Sequence, residues 1–122
     1  MKVELLHFTP IMIAIKAIRT CYNSCDKSDE LGEKDIKLLQ SIVKNKHLST
    51  IEHLRILFKT TDNEIYQTFL KNHFSYISMS DINGTIYYYI CTNMRVILEI
   101  DLPLTIKDII TPYEYKMLLK EC

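Results

Sequence analysis

Residues 76–91 read Tyr76-Ile77-Ser78-Met79-Ser80-Asp81-Ile82-Asn83-Gly84-Thr85-Ile86-Tyr87-Tyr88-Tyr89-Ile90-Cys91. Asn83-Gly84 supplies the two positions that tolerate positive φ in a type I′ turn, so Tyr76–Met79 and Thr85–Cys91 are predicted to form the arms of an antiparallel hairpin. The run from Ile86 to Ile90 is β-prone and bulky on both faces, which predicts a strand covered on one side by helices and on the other by a neighbouring subunit. Upstream, Leu54, Ile56 and Phe58 alternate as a second strand, and Val3 and Leu5 alternate with Lys2 and Glu4 as a third. Helices fill the intervals. Thr9-Pro10 reads as an N-cap followed by proline in the first turn, with Met12, Ile15, Ile18 and Tyr22 on the buried face. Asn23 to Lys34 reads as a loop, and Asp35 to Lys46 as a helix with Ile36, Leu39, Ile42 and Val43 as its apolar stripe. Asp62 is placed to cap a helix carrying Ile65, Phe69 and Phe74, and Thr92-Asn93 to cap one starting near Met94. Pro103 interrupts the pattern, and Thr111-Pro112 opens a last helix to Cys122 by the logic of Thr9-Pro10. The expected fold class is α+β, a small antiparallel sheet packed against helices, with residues 1–122 as a single domain.

Composition excludes several functions. Fifteen basic and fifteen acidic side chains cancel, so no large positive field for a nucleic acid is expected. Gly32 and Gly84 are the only glycines, and neither a G-x-G-x-x-G nor a Walker loop can be written with them. Any nucleotide must then be held by side chains and helix ends. No apolar run approaches the roughly 18 residues of a membrane span. Met1-Lys2-Val3-Glu4 puts an acid where an export signal runs apolar, so a cytoplasmic protein with reduced thiols at Cys21, Cys25, Cys91 and Cys122 is expected. Cys21-x3-Cys25 has no second ligand pair, and no metal site is assigned.

Two segments carry chemistry. His47-Leu48-Ser49-Thr50-Ile51-Glu52-His53 gathers two histidines, two hydroxyls and a carboxylate where a helix gives way to a strand. Its plain reading is a cap, a turn and a histidine at a helix C-terminus. The spacing of its histidines does not fit H-E-x-x-H zinc binding. Thr92-Asn93-Met94-Arg95 places an arginine at the start of a helix, where an anion is well received. Its plain reading is a surface arginine paired with Glu99 one turn on.

These segments, with two others, resemble the flavin-dependent thymidylate synthases, FAD enzymes that methylate dUMP. His7-Phe8-Thr9-Pro10 through Ile18-Arg19-Thr20-Cys21-Tyr22-Asn23-Ser24 is similar to the start of that family, and His47 to His53 to its H-x-S/T-x-x-E-H signature. Gln67 to Ser80 falls where the family carries Q-x-x-R-H-R-x7-S, and Tyr88 to Arg95 resembles the approach to its N-x-R helix. The resemblance implies FAD-binding roles for His47, Ser49, Glu52, Asn93 and Arg95, and for Ser24 near the cofactor phosphates. It implies substrate-binding positions at Gln67 and Lys71, and at Ser80 the serine that the family places beside dUMP. The sequence departs from the family at Leu70-Lys71-Asn72, which replaces Arg-His-Arg, and at Ser80-Asp81-Ile82-Asn83, which lacks the family's next arginine. The chain reads as a shortened, divergent member, with a hairpin in place of a long helical insert.

The uneven retention implies a nucleotide-binding protein, for FAD or another adenine-containing nucleotide, with methyl transfer lost. A compact phage protein that sequesters nucleotides has this form. Two alternatives are carried. One is a minimal active enzyme in which Ser80, Lys71 and Gln67 convert dUMP to dTMP. The other is a scaffold protein without a ligand. The family also implies a homo-oligomer, a tetramer or dimer, with no nucleic acid or membrane partner.

Overall fold

Strand β2 (Arg55–Thr60) sets the geometry: Ile56, Phe58 and Thr60 are buried, while Arg55, Leu57 and Lys59 between them are half-exposed. This two-residue alternation fixes the register, since a slip by one position would turn every apolar side chain to water. The structure is a computed structural model and describes residues 3–21 and 27–120. β2 pairs antiparallel with β1 (Val3–Phe8) on one side and β4 (Thr85–Asn93) on the other, and β4 pairs with β3 (Tyr76–Ile82). The sheet order is β1-β2-β4-β3. Leu5, Phe58, Ile90 and Ile77 stand side by side across it on the face that carries the core. An irregularity in β1 between Leu5 and His7 leaves Leu6 exposed.

The expected hairpin forms at the expected place. Asn83 and Gly84 have φ of 53° and 85°, the left-handed values a type I′ turn requires. Helix α3 (Asn63–Leu70) is capped by Asp62, whose carboxylate accepts from the Glu64 and Ile65 N–H groups. It lays Phe69 edge-on against Phe58 and stacks Tyr66 flat on Tyr88, with ring centroids 5.3 and 4.2 Å apart. Phe74, expected on this helix, lies beyond its end and is exposed.

α1 (Met12–Cys21) and α2 (Glu33–Lys44) complete the core with Ala14, Ile15 and Ile18 from one, and Leu39, Ile42 and Val43 from the other. Met12 and Ile36, expected on the buried stripes, are half-exposed, whereas Ile11, just before α1, is fully packed. Tyr22, expected on the α1 face, and the Cys21-x3-Cys25 pair as a unit lie outside the residues that the structure describes. Among the described residues, no three His, Cys, Asp or Glu side chains group to hold a metal ion, and no helix is long and apolar enough to cross a membrane.

Two expected caps form differently. The Thr9 hydroxyl accepts the Arg55 N–H at 3.2 Å rather than capping α1, because β1 and β2 are still adjacent there; the Ile11 N–H goes instead to Glu114. The Thr111 hydroxyl turns back to the Lys107 carbonyl, ending a helix that the sequence pattern did not announce, α5 (Leu104–Ile110). After Pro112 the chain makes a 3-10 turn (Tyr113–Tyr115) and one turn of helix, α6 (Lys116–Leu119). Tyr115 is wholly buried and its hydroxyl donates to the Thr9 carbonyl, joining the C-terminal segment to the β1–α1 corner. Burial, with Glu114 beside it, raises the phenol's pKa and keeps it a donor. Tyr115→Phe keeps the packing and leaves that carbonyl without its partner; a loss of about 1 kcal/mol in urea unfolding is expected.

Candidate functional site

α2 stops at Lys44, and Asn45 and Lys46 (φ 60°) turn the chain so that the His47 N–H reaches the Ile42 carbonyl. Leu48 and Ile51 must both enter the core, and their three-residue spacing is met by a 3-10 turn over Thr50–His53. His47, Ser49 and His53 are thereby left exposed, and Glu52 half-exposed. The Thr50 hydroxyl is buried without a hydrogen-bond partner among the described residues, a position that sequence reasoning did not single out.

The second half of the site is built at the end of β4. Asn93 is buried, and its side-chain oxygen accepts the Val96 N–H, which starts helix α4 (Met94–Glu99). The Met94 N–H donates to the Leu54 carbonyl at 2.9 Å, tying this start to the strand end of the 3-10 turn. Arg95 therefore faces Glu52. Its Nη1 lies 3.2 Å from Glu52 Oε1, and its Nε 3.3 Å from Glu99 Oε1. The pairing with Glu99 expected on the plain reading is present, and the pairing with Glu52, 43 residues away in sequence, joins the two chemistry-bearing segments.

Beside Arg95 opens a hollow of about 300 Å³ lined by Asn72, Phe74, Arg95, Val96, Glu99 and Ile100. Its far wall is the α3–β3 turn. There Asn72 Oδ1 accepts from the Phe74 N–H and the Ser75 hydroxyl, and Ser75 in turn bonds the Thr92 hydroxyl at 2.9 Å. Asn72 and Phe74 were not among the expected binding residues. The asparagine followed by a tight polar turn is a visible Asx-turn signal, but nothing local says that this turn returns to α4. The hollow lies at the small end of ligand sites, about 300–1,000 Å³, and has room for one ring system rather than a whole dinucleotide. An arginine donor, an exposed phenylalanine and apolar Val96 and Ile100 fit the edge and face of such a ring.

The remaining expected positions lie elsewhere. His47 lines a separate shallow hollow with Leu38, Ser41, Ile42 and Asn45. Ser49 makes no capping hydrogen bond. Gln67 is exposed and bonds back to Asn63, and Lys71 is exposed at the end of α3. Ser80 is paired with Tyr87 near the hairpin tip, six positions up β4 from Asn93, a distance of roughly 20 Å along the strand. Ser24 lies outside the described residues. Within this chain, then, Glu52, Asn93 and Arg95 are brought together, and His47 and Ser80 stand apart from them.

No protein-family model matches the chain. A stretch of 59 residues, 48% of the chain, is 49% identical to the flavin-dependent thymidylate synthase of Wolinella succinogenes and 44% identical to that of Campylobacter jejuni. The chain is related to the flavin-dependent thymidylate synthases. The matched stretch spans less than a third of those relatives, 29% and 28% of their lengths. In fold the likeness runs further. The crystal structure of thymidylate synthase X (ThyX) from Helicobacter pylori with FAD and dUMP matches with a TM-score of 0.80 at 17% identity, over 100% of this chain and 99% of that one. A second Helicobacter pylori ThyX structure, also with FAD and dUMP, gives 0.79 at 16%. The antiparallel sheet with helices on its core face is thus the ThyX fold.

Proposed function

We propose that this chain is a nucleotide-binding protein that takes FAD and does not carry out methyl transfer. The observation that supports it is the Glu52–Arg95 pair, which holds the histidine-containing turn against the α4 start beside a ring-sized hollow. The likeness to ThyX structures that hold FAD and dUMP points to flavin as the ring. The loss of methyl transfer rests on Leu70-Lys71-Asn72. A dianionic nucleotide phosphate needs several fixed cationic donors, and this turn offers the exposed Lys71 as its lysine or arginine.

Assembly belongs to the same reading. The sheet face opposite the core carries Leu57, Cys91 and Tyr76 in one row and Lys59 and Tyr89 in the next, with Tyr76 68% exposed. We take it to be covered by a second copy in a dimer or tetramer. Light scattering showing a monomer at micromolar concentration would remove that part. The protein is taken to act in the cytoplasm, without nucleic acid or membrane partners.

The test is direct. The purified protein is expected to take up FAD, with bands near roughly 375 and 450 nm from bound flavin, and saturating FAD at about 100 times its Kd should add about 2.7 kcal/mol of stability. Arg95→Gln should weaken FAD by about tenfold, the worth of one charge-assisted hydrogen bond. Expression in a thymidine auxotroph should give no growth without thymidine. A protein that neither binds FAD nor gains stability from it defeats the proposal; rescue of the auxotroph favours the minimal-enzyme reading instead.

A further inference from the structure

The carboxylates on Arg95 impose a charge rule on whatever enters the hollow. One guanidinium is shared by Glu52 at 3.2 Å and Glu99 at 3.3 Å, which leaves one negative charge in excess. The other lining side chains, Asn72, Phe74, Val96 and Ile100, are uncharged. Glu99 lines the hollow with Arg95 and Glu52 does not, so Glu99 is the carboxylate that a ligand meets there. Arg95 Nη2 and Glu99 Oε2 have no protein partner among the described residues. The pair thus keeps one donor and one acceptor for a ligand.

Resting on the nucleotide-binding reading above, we propose that Glu99 is the specificity-determining residue of this hollow. It admits the uncharged edge of a ring bearing a carbonyl beside an N–H, as in a cyclic imide or lactam, and it turns phosphate away. The ring carbonyl accepts from Arg95 Nη2 while the ring N–H donates to Glu99 Oε2. A phosphate would have to displace Glu99 from the guanidinium. Phe74, 56% exposed, supplies apolar surface for the body of the ring. The phosphates of a bound dinucleotide therefore lie away from Arg95, although arginine is the residue usually assigned to them.

Riboflavin, which has the imide edge and no phosphate, is the probe, followed by quenching of its fluorescence, with inorganic phosphate as competitor against a chloride control of equal ionic strength. With the wild-type protein, phosphate is expected to leave riboflavin affinity unchanged. Glu99→Gln frees the arginine from one carboxylate, and there riboflavin should weaken by about fivefold, the scale of one half-exposed charge, while phosphate becomes a competitor. Glu99 is 56% exposed at its side chain, and Glu99→Asp, which shortens the reach and keeps the charge, should continue to exclude phosphate. Phosphate competing equally with wild type and Glu99→Gln overturns this inference and leaves flavin binding standing. Absence of riboflavin binding to the wild-type protein overturns this inference, and the nucleotide-binding reading falls with it only if FAD is not bound either.

Discussion

Phe58→Ala is expected to cost the folded state about 3–5 kcal/mol, the range for emptying a buried phenylalanine site. Phe58 has no exposed surface, stands between Leu5 and Ile90 in the central row of the sheet, and meets Phe69 edge-on at 5.3 Å. Its neighbours are strand side chains fixed by register on both sides, so the cavity cannot collapse without moving the sheet. Urea unfolding checks the value: the midpoint should fall with little change in slope. The double variant Phe58→Ala with Phe69→Ala should lose less than the sum of the singles by about 0.5–1.5 kcal/mol, the worth of the ring pair beyond its area. Leu104→Ala, at a site 68% exposed, should change stability by less than about 0.5 kcal/mol. A loss at Phe58 no larger than that would mean that β2 does not carry the core.

The features that the sequence disclosed and those that it concealed divide by the range of the interactions. Asn83-Gly84 and the caps at Asp62 and Asn93 are local devices. Each acts within three residues, so the turn and both helix starts are where the pattern puts them. Thr9-Pro10 and Thr111-Pro112 look like the same device, but the hydroxyls are taken by Arg55 N–H and the Lys107 carbonyl. A partner brought by the sheet outcompetes the local cap at Thr9. α5 escaped notice because Thr105, Lys107 and Asp108 interrupt its apolar residues and only Ile106 and Ile110, four apart, are buried.

The site obeys the same division. The residues by themselves pointed to Glu52 and Arg95 separately, through a turn segment and a helix start, and the family resemblance alone put both at one FAD site. Arg95 has an ordinary partner one turn away in Glu99, and that pairing is real. The contact with Glu52 depends on the Met94–Leu54 hydrogen bond across two elements, which no spacing encodes. Asn72 and Phe74 enter the hollow from a turn that the Ser75–Thr92 hydroxyl contact ties to the end of β4.

The ion pair of Arg19 with Asp35 is the other non-local contact with a large expected effect. Both side chains are nearly or wholly buried, with Arg19 Nη2 2.9 Å and Nε 3.1 Å from the same Asp35 oxygen. Burial pushes the Asp35 carboxyl up; hydrogen bonds from Ser28 and the Leu31 N–H, together with the Arg19 guanidinium, outweigh it and hold its pKa below 3.8. A carboxylate with a depressed folded-state pKa contributes stability above its unfolded value and loses it as the pH falls through the folded one. Arg19→Ala should therefore cost about 3 kcal/mol near neutral pH, because it leaves the charge buried and short of a partner. The gap between wild type and variant should narrow as the pH falls through the depressed folded-state pKa of Asp35, below which the carboxyl is protonated in both proteins. Replacing both residues, Arg19→Met with Asp35→Leu, should cost less than Arg19→Ala alone, since no unpaired charge then remains. Denaturant titrations of the three proteins from about pH 7 down through the acid range separate charge from packing. A loss for Arg19→Ala that stays the same down through the acid range would assign the role of Arg19 to the packing of its side chain, and the ion pair would contribute nothing to the fold.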